Sequence, residues 1–198
     1  MQDTQAAGLD VLTGIENLRF ADGLFQASSF LVGVNLTGTA AAETLTGTVA
    51  ADTLDGAGGA DTLVGGLGND VYRLDDSAEV VTELAGGGFD IVQIAKSWVV
   101  TAGSVIERVF MSGIANLNLT GNALSMVLEG NAGLNTLDDG GGADTLKGMA
   151  GNDIYIVRNA ATVVVEAAGE GYDAVRTALS TFVLTDNLET LTYTGTGH

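Results

Sequence analysis

The sequence predicts an all-β protein: a right-handed parallel β-roll or β-solenoid of nonapeptide repeats with interleaved β-strand segments. Three observations predict it. Glycine and an acidic residue recur every nine residues in two blocks of the chain. An apolar residue recurs in the same register, one residue beyond the next after each acid. No segment shows the capped 3.6-residue apolar period of a helix.

The first block divides residues 38–73 into GTAAAETLT, GTVAADTLD, GAGGADTLV and GGLGNDVYR. Position one is always Gly. Position six runs Glu43, Asp52, Asp61, Asp70, and position eight runs Leu45, Leu54, Leu63, Tyr72. The register continues to Leu36 on one side and to Glu79 and Val81 on the other. The second block, residues 121–156, reads GNALSMVLE, GNAGLNTLD, DGGGADTLK and GMAGNDIYI. Its sixth positions are Met126, Asn135, Asp144 and Asp153; its eighth are Leu128, Leu137, Leu146 and Tyr155.

Both blocks belong to a longer repeat. Residues 68–93 match 151–176 at an offset of 83, and IERVFMSG (106–113) matches LETLTYTG (188–195) at 82. A third copy of that element, IENLRF, occupies 15–20. The expected organisation is therefore the end of a preceding unit (1–24), a first roll block (25–83), an inter-block β segment (84–120), a second roll block (121–166) and the start of the next inter-block segment (167–198). The chain reads as a stretch of a longer array.

Nine residues suffice for a six-residue turn and a three-residue strand. Side chains alternate along a strand, so the middle residue of T-L-V points inward, which explains position eight. Glycines supply positive φ and leave carbonyl oxygens bare. Two units make one coil, so turns on one side recur every 18 residues. Asp52 and Asp70 then stack on one side, and Glu43, Asp61 and Glu79 on the other. A cation between stacked turns meets carboxylates and Gly-loop carbonyls only. That all-oxygen shell suits Ca²⁺ better than Mg²⁺, which demands tighter octahedral geometry. Thiolate- or imidazole-seeking metals find no ligands.

GGLGNDVYR and GMAGNDIYI resemble hemolysin-type calcium-binding repeats, the RTX (repeats-in-toxin) family, and the resemblance covers 38–73 and 121–156. It implies calcium as the bound ion and an exported protein that leaves the cell unfolded by type I secretion and folds outside. The candidate ligands are Asp52, Asp61, Asp70, Glu43, Glu79, Asp144, Asp153 and Asn135, with the turn residues Gly56, Gly58, Gly59, Gly65, Gly68, Asn69, Gly148 and Gly151. The best site is expected between the 52 and 70 turns. The 61/79 and 43/61 pairs come next, then 135/153 and 144/162. Met126 offers no ligand, Asp139 replaces a first-position Gly, and Thr162 stands where Glu79 stood. Units such as GNALSMVLE are expected to continue the solenoid without metal, held by Asn ladders and apolar stacking. Asp90 and Asp173 read equally as further ligands or as turn caps.

Composition excludes much else. The chain has 198 residues, 29 Gly, no Pro and no Cys, and a formal charge of −18 from 25 acidic and seven basic residues. There is no basic patch for nucleic acid and no 18-residue apolar run for membrane insertion. Disulfides and thiolate sites are ruled out. The sole histidine is His198. Tyr72 and Tyr155 occupy the apolar position and read as core. IVQIAKSWVV (91–100) reads as strand, with Trp98 in packing. Glu107 and Glu189, at matching places, read as recurring turn hydrogen bonds. Asp75 and Asp76 lie outside the ligand register and read as a solvated turn.

The leading functional reading is a secreted or cell-surface calcium-binding structural module, of adhesin, S-layer or matrix type, with no enzymatic activity of its own. Its folding or assembly is coupled to Ca²⁺, and copies stack end to end. The alternative is the secretion and folding module of an extracellular enzyme or toxin whose catalytic domain lies elsewhere. A solenoid enzyme acting on acidic polysaccharide is disfavoured by the scarcity of Lys and Arg.

Overall fold

The computed structural model describes residues 17–20, 23–26 and 32–196. The chain divides into two compact units, Met1–Val32 and Gly33–His198. In the first, β1 (Asn17–Phe20) and β2 (Gly23–Gln26) form an antiparallel pair. The remainder of the expected 1–24 segment, and His198, lie outside the described residues.

The second unit is a β-solenoid of about nine turns. Among the described residues there is no helix, hence none long and apolar enough to cross a membrane. One face is an eight-stranded parallel sheet. It takes β3 (Asn35–Thr37), β5 (Thr53–Asp55), β7 (Val71–Leu74), β9 (Ile91–Ile94), β11 (Arg108–Met111), β13 (Val127–Glu129), β15 (Thr145–Lys147) and β17 (Val163–Val165). The intervening strands pair in two sheets. The first holds β4 (Thr44–Thr46), β6 (Thr62–Val64) and β8 (Val80–Thr82). The second holds β10 (Trp98–Val99), β12 (Asn118–Thr120), β14 (Thr136–Asp138), β16 (Ile154–Val157), β18 (Ala174–Thr177) and β19 (Thr190–Tyr193).

The three-residue strand with an inward middle residue is observed. In β5 and β6 the flanking residues are half-buried, while Leu54 and Leu63 are fully buried. In-register pairing stacks these residues directly: Leu36 on Leu54 on Tyr72 on Val92, and Leu119 on Leu137 on Tyr155 on Val175. Each fully buried leucine contributes about 1.5–3 kcal/mol, and the ladder supplies the thin core expected of a chain poor in aromatics.

Residues 91–100 are not one strand. β9 and β10 lie in different sheets, with the chain turning at 95–97. Trp98 is 3% exposed and its indole N–H donates to the Glu79 carbonyl at 2.9 Å, tying β10 to the coil of β8 where the ladder of that face is interrupted.

The long repeat has an unexpected symmetry. β7 and β16 are equivalent by sequence, yet β7 lies in the eight-stranded sheet and β16 in the six-stranded one. β16 lies nine strand steps after β7, which is an odd number of half-coils. Equivalent turns of successive copies therefore fall on opposite edges of the solenoid.

Candidate metal centres

The position-six aspartates point into the solenoid and bind the backbone of the preceding coil. On one edge, Asp52 Oδ1 accepts from Val34 N, Asp70 Oδ1 from Asp52 N, and Asp90 Oδ1 from Asp70 N. On the other edge Asp61 Oδ1 accepts from Glu43 N, Asp153 Oδ1 from Asn135 N, and Asp173 Oδ1 from Asp153 N. The step is 18 residues within a block and 20 where an inter-block turn intervenes. Glu107 and Glu189 continue these ladders, accepting from Asp90 N at 2.7 Å and Asp173 N at 2.6 Å.

These carboxylates are out of solvent: Asp52, Asp61, Asp70, Glu79, Asp90, Asp144, Asp153 and Asp173 are each at most 2% exposed. One oxygen holds the ladder, and the second is often left over. Asp61 Oδ2, Asp70 Oδ2, Glu79 Oε1, Asp90 Oδ2, Asp144 Oδ2, Asp153 Oδ2 and Glu166 Oε2 are buried without a hydrogen-bond partner. A buried carboxylate oxygen with no donor carries a penalty of several kcal/mol unless a cation meets it. Among the described residues, ion pairs form elsewhere, at Glu129 with Arg108 and Lys147 and at Asp138 with Arg158.

Several of these carboxylates converge. Asp70, Glu83 and Asp90 each offer an oxygen within 4.8 Å of the others', and so do Asp153, Glu166 and Asp173. A Ca²⁺ ion with ligands at about 2.3–2.6 Å spans such a group. Gly65 and Gly148 lie beside these triads, and a Cβ there would overlap the carboxylates and the tyrosine hydroxyls of Tyr72 and Tyr155. A third group pairs Asp61 with Glu79 over Gly56, whose Cβ would lie 2.9 Å from Asp61 Oδ2.

The description "RTX calcium-binding nonapeptide repeat" matches residues 37–72 and 127–156, in four copies. The chain carries RTX calcium-binding repeats. Ca²⁺ is thus the expected ligand, and the solenoid of RTX repeats is a structural rather than a catalytic architecture. Comparison with curated proteins and with solved structures returns no match. The donor set fits the ion: it is all oxygen, with no cysteine in the chain.

Burial raises the affinity of these carboxyls for protons. It pushes Asp153 and Asp144 up to about 7, Asp153 also feeling Asp173 and Glu170, and Asp144 also feeling Asp139. It pushes Glu79 to about 7, against the pull of the Asp75 and Asp76 amides. It takes Asp90 to about 6 and Glu166 to about 8, with neighbouring carboxylates adding to both.

Several RTX turn residues occupy other roles. Asp52, in the turn pair expected to be best, is saturated: Oδ2 accepts from Thr48 N and Oγ1, and Oδ1 from Val34 N. The GTVAAD turn lacks the glycines for positive φ, so it closes through the Thr48 hydroxyl instead. Glu43 Oε1 likewise turns to Thr39 N and Oγ1 of its own turn. Asp70 has its free oxygen directed to Glu83 and Asp90, so the convergence lies one turn later than the 52/70 pair. Gly58, Gly59, Gly68 and Gly151 all take positive φ, from 97° to 133°. Asn69 Oδ1 accepts from Phe89 N at 2.9 Å. Asn135 Oδ1 accepts from Asn131 N, and its amide donates to Asn131 Oδ1.

The Asn ladder of the second block is present: Asn122 Nδ2 bridges the carbonyls of Thr101 and Ser104, each at 2.9 Å, and Met126 is core. Asp139 and Thr162 compensate each other. In the first copy Glu79 Oε2 accepts from Asp75 N and Asp76 N. In the second, Asp139 Oδ2 accepts from the equivalent Arg158 N and Asn159 N, and from Thr162 Oγ1. The carboxylate has moved from the upper coil to the lower, onto the position of Gly56.

Glu83 and Glu166 were not among the sequence candidates, because they fall outside the nine-residue register. The signal that marks them is their identity at the 83-residue offset.

Proposed function

We propose that this chain is an extracellular structural module whose folding is coupled to calcium binding. The observation that carries this reading is the set of buried carboxylate oxygens without donors, two in each carboxylate triad and two between Asp61 and Glu79, away from every basic side chain that forms an ion pair. Without metal, these groups repel one another and the glycine-rich turns cost entropy. With metal, ligand binding becomes folding free energy, about 2.7 kcal/mol per site at a hundredfold excess over Kd. Asp61 with Glu79, Asp144 with the Asp139 turn, and the two triads are the assigned ligand groups. Export unfolded, followed by folding where calcium is abundant, uses this coupling, and a large adhesin, S-layer or matrix protein is the setting that a long tandem unit suits.

Far-UV circular dichroism of the chelated protein during calcium titration tests this, with magnesium as control. A cooperative gain of β signal with calcium alone is the expected result. A full β spectrum under chelation that calcium leaves unchanged, in shape and in melting temperature, refutes the coupling.

A further inference from the structure

Residues 68–93 contain six acidic residues: Asp70, Asp75, Asp76, Glu79, Glu83 and Asp90. Their equivalents in 151–176 are Asp153, Arg158, Asn159, Thr162, Glu166 and Asp173. The three that stay acidic are the three that meet in space. Tyr72 and Tyr155 are retained with them, and each hydroxyl donates to the glutamate of its own triad. Within the nonapeptides the position-six residues vary freely, from Asp to Asn and Met. The triad is thus held more strictly between copies than the nine-residue ladder is.

Its geometry differs as well. A nonapeptide pair joins turns 18 residues apart. The triad spans a 20-residue step, because the turn between β8 and β9, and between β17 and β18, carries extra residues. Glu83 and Glu166 stand at the start of those longer turns, and Asp90 and Asp173 at their ends. In the first triad Asp70 Oδ2 and Asp90 Oδ2 have no donor; in the second, Asp153 Oδ2 and Glu166 Oε2 have none. All six residues are at least nine-tenths buried.

We propose that each long repeat unit holds a second kind of calcium site, in which the last position-six aspartate of a block is joined by a glutamate and an aspartate from the inter-block segment. This rests on the calcium reading above and adds to it. The ion closes the long turn onto the roll, and the tyrosine positions the glutamate. Because a unit contains an odd number of half-coils, successive sites pin the solenoid on alternate edges.

Calcium stoichiometry by titration calorimetry decides the matter, on the wild-type chain, E83Q/E166Q and D61N/E79Q. Two fewer ions in E83Q/E166Q, with binding retained at the other sites, is expected. D61N/E79Q keeps both triad ions. Wild-type stoichiometry in E83Q/E166Q overturns the proposal, whereas a wild-type chain that binds no calcium overturns the wider reading instead. Terbium luminescence excited through tyrosine gives a second readout, independent of how the glutamine variant folds. Tyr72→Phe/Tyr155→Phe is expected to lose most of the emission, since Trp98, Tyr172 and Tyr193 remain; undiminished emission places the ions elsewhere and overturns the proposal.

Discussion

A buried carboxylate has two oxygens, and in this chain the second one decides what the residue does. Asp52 spends both on the backbone and on Thr48, so it closes a turn. Asp70 spends one on Asp52 N and has the other free toward Glu83 and Asp90. Asp139 spends Oδ1 on Gly141 N and Oδ2 on three donors, replacing the carboxylate that Thr162 lacks. Asp139→Gly should therefore destabilise the fold by roughly 3 kcal/mol, because three part-buried N–H groups and the buried Thr162 hydroxyl lose their acceptor. D139G/T162E restores the arrangement of the first copy and should recover at least half of that loss. Urea denaturation of both variants and of T162E alone, as a double-mutant cycle, measures the coupling. Additive effects would show that the two positions do not compensate.

At the scale of the strand, three residues make a poor isolated element, and stacking holds it. Each inner strand of the eight-stranded sheet pairs in parallel with the coils above and below, so its middle side chain is buried by neighbours 17 to 20 residues away. A central substitution should cost more than an edge one. Leu128→Ala, between Val109 and Leu146, is expected to lose about 2–5 kcal/mol. Leu45→Ala, half-buried in β4 and stacked only on Leu63, should lose less than half as much. Equal losses in thermal or urea unfolding would mean that burial does not follow the stacking. The charged ladder of Arg108, Glu129 and Lys147 along β11, β13 and β15 is half-exposed, and surface ion pairs of that sort contribute about 0–1 kcal/mol each.

For the whole molecule, protons and calcium compete for the same oxygens. Burial raises Asp90, Asp144, Asp153, Glu79 and Glu166 to between about 6 and about 8, above their unfolded values near 4. The folded chelated chain then binds more protons than the unfolded chain across that interval. Its stability is greatest near the lower end and is lost as pH rises through about 6 to 8. The chelated protein should melt at a higher temperature at about pH 5.5 than at about pH 8.5. Saturating calcium should flatten or reverse that slope, since the ion favours the ionised carboxylates. Scanning calorimetry at fixed ionic strength checks both signs. A chelated protein that melts lower at the acid end contradicts the assigned cause.

The nine-residue period by itself determined the strands, their inward residues and the two edge ladders, because Leu54, Leu63 and Asp61 obey a strict alternation that leaves one way to bury the leucines. It also determined the ion class, because only oxygen ligands are present. What only the tertiary structure decided concerns second contacts. Whether Asp52 or Asp70 keeps a free oxygen depends on Thr48 folding back. The partnership of Glu83 with two aspartates depends on a 20-residue coil that the 18-residue register does not contain. The split of 91–100 across two faces, and the half-coil rotation between copies, follow from how many strands the inter-block segment inserts. Periodicity fixes neighbours one coil apart; where the period breaks, only the folded chain sets which groups meet.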